Sequence, residues 1–244
     1  MGMRHSVHSI FFEQADAHEA ASRWDQALAL LYQAQRWAHP DAAYWVRLGL
    51  VSLRLAEPAW LKAAGLDATH VGDMAALNAE LYLERASRLA PRDVAPAFWQ
   101  AWAMHHTGRE PVAVREALHE ALARDARWPY ALALLGRLEL AERSPGFPPR
   151  ARRALEGACE ALPESPRLQY DLGAARAADG DVRGACEALG RAMTLPPLPG
   201  PPGTAGGWLA EAFHGQPAVL HGWVETYFAD LFEASGLALP ARRP

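Results

Sequence analysis

The sequence predicts an all-α protein: a right-handed solenoid of about five helix pairs, closed by a C-terminal capping helix. Three observations point there. Alanine and leucine recur at helical spacing from Ile10 to Met193, with Val and Ile sparse and no sustained period-two alternation. Prolines cluster between these stretches rather than inside them, as helix ends require. Small and turn residues also recur in a fixed order, best seen in Leu172, Gly173, Gly180, Ala185, Leu189, Ala192 and Pro197. A unit of two such helices buries its apolar face only against its neighbours.

The elements follow in chain order. In the first unit a helix is predicted over 9–21. Its second helix carries Trp24, Ala27, Leu31 and Ala34 at packing spacing and closes at Pro40. The second unit opens on Asp41, a good N-cap, and carries Trp45, Leu48 and Gly49. Its first helix should end near Glu57-Pro58. An insertion is expected over 59–73, with Gly65 and Gly72 as breakers. The second helix resumes near Met74 with Ala79, Leu83, Ala86 and the closing Pro91.

The third unit carries Phe98, Ala101, Gly108, Leu118 and Ala121, with Pro111 suited to the first turn of a helix. The fourth opens near Trp128-Pro129 with Leu135-Gly136. A loop through Ser144-Pro145-Gly146-Phe147-Pro148-Pro149 interrupts it before Ala154, Ala158, Ala161 and Pro166. The fifth is the Gly173 unit, turning through Asp179-Gly180-Asp181. Gly49, Ala101, Gly136 and Gly173 follow one another at 52, 35 and 37 residues, against a period of about 34. The insertion over 59–73 accounts for the long first gap.

Beyond Met193 the character changes. The Pro/Gly-rich 198–207 reads as a stiff connector, and Trp208 to Phe213 as a short helix. The last helix opens at Gln216-Pro217, runs to about Ala234 and closes at Gly236. Its apolar positions Val219, Leu220, Trp223, Tyr227, Leu231 and Phe232 largely share one stripe. We expect 208–244 to cap the array, because a solenoid end leaves core exposed. The alternative is an arm that docks on a partner.

These residues make the chain resemble the tetratricopeptide repeat family over residues 9–197. The resemblance is most specific in the fifth unit and weakest in the first and third. Gly49, Gly136 and Gly173 stand where a first helix crosses its partner, and Ala27, Ala79, Ala154 and Ala185 where a second helix meets the first. The resemblance implies a concave groove, lined by first helices, that binds a peptide or helix of a partner. Projected onto this sequence, the groove residues are Arg47, Leu50, Arg54, Phe98, Trp102, His105, Tyr130, Arg137, Arg167 and Tyr170. They lack the Lys/Asn/Arg set with which chaperone-binding members hold a terminal carboxylate. The expected partner has apolar or aromatic anchors and some acidic character, because Tyr, Trp and Arg dominate interface hot spots.

Composition narrows the function further. A net charge of −4 argues against a nucleic-acid partner. Lys62 is the only lysine, so arginine supplies nearly all the positive charge. Cys159 and Cys186 are too few for a disulfide framework and read as small buried thiols. No apolar run reaches membrane-spanning length, and the N-terminus carries no export signal. A cytoplasmic location with no membrane partner is expected.

No catalytic constellation is legible. His105-His106 with His119 lacks Cys or carboxylate at ligand spacing, so no metal site is expected. Nor is a cofactor, because no Gly-rich phosphate loop follows a strand. We therefore expect a protein–protein adaptor and not an enzyme. The alternatives are a non-catalytic subunit that captures substrate for a catalytic partner, and a homo-oligomer joined through the C-terminal helix.

Overall fold

In the computed structural model residues 2–37, 40–66, 68–142, 148–196 and 217–240 are described. Among them every regular element is a helix: α1 (Gly2–Ala20), α2 (Trp24–Ala34), α3 (Ala42–Leu55), α4 (Pro58–Ala63), α5 (Ala68–Leu89), α6 (Val94–His106), α7 (Pro111–Arg124), α8 (Pro129–Ala141), α9 (Pro148–Ala161), α10 (Pro166–Ala178), α11 (Val182–Thr194) and α12 (Pro217–Ser235). They form two compact units, one holding α1–α7 and the other α8–α12. The expected connector over 198–207 and the short helix over 208–213 lie outside the described residues.

Helix pairing follows the repeat. In the first unit α1 packs on α2, α3 on α5, and α6 on α7. In the second, α8 packs on α9 and α10 on α11, and α12 lies against α11 and α10. Three of the pairs, α3 with α5, α8 with α9 and α10 with α11, close around a glycine on the first helix. A Cβ on Gly49 would stand 2.4 Å from Leu83 Cγ, one on Gly136 2.5 Å from Leu155 Cγ, and one on Gly173 2.6 Å from Leu189 Cγ. The three leucines are fully buried, so each fills the space a side chain would need. This is the close helix crossing that the sequence pattern implies.

Local chemistry sets the helix ends. Asp41 Oδ1 accepts from Tyr44 N (2.8 Å), Ser165 Oγ from Leu168 N (3.3 Å) and Asp181 Oδ1 from Gly184 N (2.9 Å), which satisfies amide donors that the first turn leaves open. Helices α4, α8 and α10 place Pro58, Pro129 and Pro166 in the first turn, where the missing N–H costs nothing. Gly180, at φ +84°, ends α10. Its N–H bonds Ala177 O (3.1 Å) and the next N–H bonds Arg176 O (2.9 Å), a Schellman closure. The same closure ends α1, where Ser22 rather than glycine takes φ +55°.

Three boundaries differ from expectation. Helix α1 starts at Gly2 rather than near Ser9. The insertion after α3 is itself helical, as α4, and α5 begins at Ala68 rather than Met74. Gly72 therefore sits inside a helix, buried 3.1 Å (measured from an added Cβ) from Leu61 Cδ1. Close packing against Leu61 is why a small residue suits that position. Pro148 and Pro149 belong to the first turn of α9, not to the loop before it.

Helix α12 covers the apolar flank of α11. Cys186, Leu189 and Met193 form one core cluster with Val224 and Phe232. Gly236, at φ +68°, turns the chain after α12, and His221 Nε2 lies 3.2 Å from Pro240 O. Both cysteines are free and buried. Burial, with Asp171 nearby, pushes the Cys159 thiol up to about 12, so it stays protonated and unreactive. No helix among the described residues is long and apolar enough to cross a membrane.

Candidate partner-binding surface

In the first unit the expected groove residues come from α3 and α6, neighbouring first helices. Arg47 reaches back to α1: its Nε donates to Glu19 Oε1 (2.7 Å), it pairs with Asp16, and its guanidinium lies 5.0 Å from the Phe12 ring centroid. Glu19 is buried, and desolvation raises its pKa while Arg47 opposes the rise. Arg54 pairs with Glu57 (2.8 Å) and lies 5.6 Å from the Trp24 ring centroid. Leu50 is buried.

On α6, Phe98 is fully buried and Trp102 nearly so. Their ring centroids are 6.2 Å apart, and the Trp102 ring meets His106 at 4.8 Å and His105 at 6.4 Å. The two histidines are exposed. Desolvation, helped by the charges of His105 and Arg54, pushes the His106 pKa down to about 4, so its ring is neutral at pH 7. Phe98, expected on the groove, instead packs in the core because its ring is fully enclosed, Trp102 is nearly as enclosed, and His105 with His106 face solvent.

In the second unit α8 and α10 are neighbours. Asp171, on α10, is buried and accepts from two arginines at once. Arg137 Nε donates to Oδ2 (2.6 Å) and Arg167 Nε to Oδ1 (3.0 Å). Burial lowers the Arg137 pKa, and Asp171 works against that shift. Tyr130, on α8, is half-buried with its ring edge-on to Trp128 at 6.0 Å.

Tyr170 is half-buried beneath α12. Its ring centroid is 5.4 Å from Trp223 and 5.9 Å from Phe228. Arg167 lies 4.8 Å from the Trp223 ring centroid. Of the residues expected to line a groove, Arg167 and Tyr170 thus already carry the chain's own C-terminal helix.

The sequence analysis did not single out Asp171, and it placed Trp223 only on the apolar stripe of the last helix. Asp171 stands four residues after Arg167 on one helix face, an ordinary i,i+4 signal. Nothing local marks its bond to Arg137, 34 positions away.

No family model matches the chain, and no curated protein does. Solved structures do. A crystal structure of MamA protein superposes with a TM-score of 0.54 at 17% identity, covering 82% of this chain and 100% of that one. MamA 41-end from Desulfovibrio magneticus RS-1 gives 0.56 at 15% identity, covering 78% and 94%. At such identities the likeness is one of fold: an all-helical array of packed pairs shared along most of both chains.

Proposed function

We propose that this protein is an adaptor whose first-helix faces bind a peptide or helix of a partner protein. The observation that carries the reading is the Arg137–Asp171–Arg167 cluster. It holds two guanidinium groups in place on neighbouring first helices through one shared carboxylate. Arginines held in place in this way, with the half-buried Tyr130 on the same helix as Arg137, suit a segment with a carboxylate and an aromatic or aliphatic anchor. Affinity for such a segment should fall with salt, since part of the attraction is between charges near the surface.

The test uses the full chain as bait, with the retained protein identified by mass spectrometry and its binding then measured in purified form. Tyr130→Ser and Arg167→Gln suit the comparison, because both residues keep partial exposure. Phe98 and Trp102 do not, because truncating them opens the core. The reading requires each variant to weaken binding by about tenfold, a typical hot-spot loss, with the helical circular dichroism unchanged. Undiminished binding in both variants rejects it.

A further inference from the structure

Away from those faces, α3 and α5 of the first unit leave a cleft of about 430 Å³ lined by Trp45, Leu81, Tyr82, Glu84, Arg85 and Arg88. The Trp45 and Tyr82 ring centroids are 5.6 Å apart. Trp45 is buried, and its indole N–H has no acceptor among the described residues. The Arg85 guanidinium lies 4.1 Å from the Trp45 ring centroid. Stacking orients that guanidinium yet leaves its N–H edges available. Arg85 is exposed and makes no ion pair with any described carboxylate, whereas Arg88 beside it is paired with Glu84.

The rim is apolar. Leu81 is 60% exposed, and Met74 (59%) and Leu77 (48%) extend the same side of α5 toward its N-terminus. A large exposed apolar strip that ends in an oriented, unpaired cation is uncommon on a surface left bare. Single exposed leucines need no explanation, but this combination selects for one chemistry.

We propose that this cleft is a docking site for an acidic peptide segment of a partner, one that carries a bulky apolar or aromatic side chain beside a carboxylate. The side chain packs against Leu81 and Tyr82. The carboxylate takes the free fork of Arg85 in a charge-assisted pair. A segment bearing Lys or Arg in place of the carboxylate meets Arg85 and is repelled. The site is separate from the first-helix faces and stands or falls independently of them.

The experiment titrates the full chain with N-acetyl-L-phenylalanine and, separately, with its uncharged carboxamide, following amide shifts by heteronuclear NMR. The acid should bind with a dissociation constant on the order of millimolar, and the carboxamide about tenfold more weakly, the worth of one charge-assisted pair at a partly exposed site. Arg85→Gln should erase the difference between the two probes, and Leu81→Glu should abolish binding of both. Both positions are exposed, so the variants should keep the wild-type melting curve. Arg167→Gln should change neither titration, which separates this site from the first-helix faces. Equal binding of acid and carboxamide overturns the proposal. So does discrimination that survives Arg85→Gln, or shifts that map away from α3 and α5, or no binding of either probe up to its solubility.

Discussion

Leu189 occupies the space that a side chain on Gly173 would need: a Cβ there would stand 2.6 Å from Leu189 Cγ and 3.1 Å from its backbone N. The backbone atom cannot rotate away, so Gly173→Ala must separate α10 from α11. Overpacking of this kind costs about 1–3 kcal/mol, read as a lower urea midpoint with the slope unchanged. Gly190→Ala is the control. Its Cβ would meet only Pro240 Cγ, at 3.7 Å, inside the helix α11, so about 0.5–1 kcal/mol should be gained from helix propensity. A neutral Gly173→Ala would mean the two helices approach less closely than described.

The same pair explains what the sequence made legible. A glycine in the middle of an alanine- and leucine-rich helix costs helix propensity, so its recurrence at Gly49, Gly136 and Gly173 signals a crossing. Turn glycines such as Gly108 and Gly180 were legible for another reason: their φ of +72° and +84° suits glycine far better than any L residue. Gly72 was not, because a glycine packed inside a helix and a glycine that breaks one look alike in sequence. The placement of the candidate groove residues was only half legible. Trp, Phe and Arg are favoured both at interfaces and in helix packing, and burial alone separates Trp102 and Phe98 from His105. The Arg137–Asp171 bond joins residues 34 positions apart, and no local spacing encodes it.

Helix α1 ends on Ser22 at φ +55°, where α6 and α10 end on Gly108 and Gly180. A non-glycine residue in that conformation is strained by about 1 kcal/mol. Ser22→Gly should therefore raise stability by roughly 0.5–1 kcal/mol, measured by urea unfolding. The gain is partly offset by the added freedom of the unfolded chain. A loss of stability instead would show that the Ser22 side chain makes a contact worth more than the strain.

Asp171 is the buried partner of two arginines, so its removal is asymmetric. Asp171→Ala removes the buried carboxylate that Arg137 and Arg167 share. Breaking a buried pair costs about 3–5 kcal/mol. The expected loss lies near the lower end, because the Arg137 and Arg167 side chains retain 20% and 26% exposure. The exposed Arg183–Glu187 pair, at 90% and 59%, gives the contrast: Glu187→Gln should shift stability by less than about 0.5 kcal/mol. Equal effects at the two sites would mean that Asp171 is solvated.

His106 gives a pH dependence with a definite sign. Its pKa is lowered from 6.5 to about 4 by desolvation, with His105 and Arg54 adding to the shift. Above pH 6.5 the ring is neutral in both folded and unfolded chains, and it contributes no pH dependence. Between about pH 6.5 and 4 the unfolded chain binds the proton and the folded chain does not, so stability falls as pH falls. Below about pH 4 both states are protonated and the contribution levels off. Carboxylates titrate at the lower end of the same window, so the wild-type curve alone does not isolate the ring. The difference between wild type and His106→Gln does. Urea midpoints measured from pH 7.5 to 4 should converge for the two proteins at low pH and diverge above it, with wild type gaining more as pH rises. Because the His106 side chain is exposed, solvent screening should make the separation smaller than full burial of the ring would give. Parallel curves for the two proteins would show that the ring titrates normally, and that its packing against Trp102 does not exclude the proton.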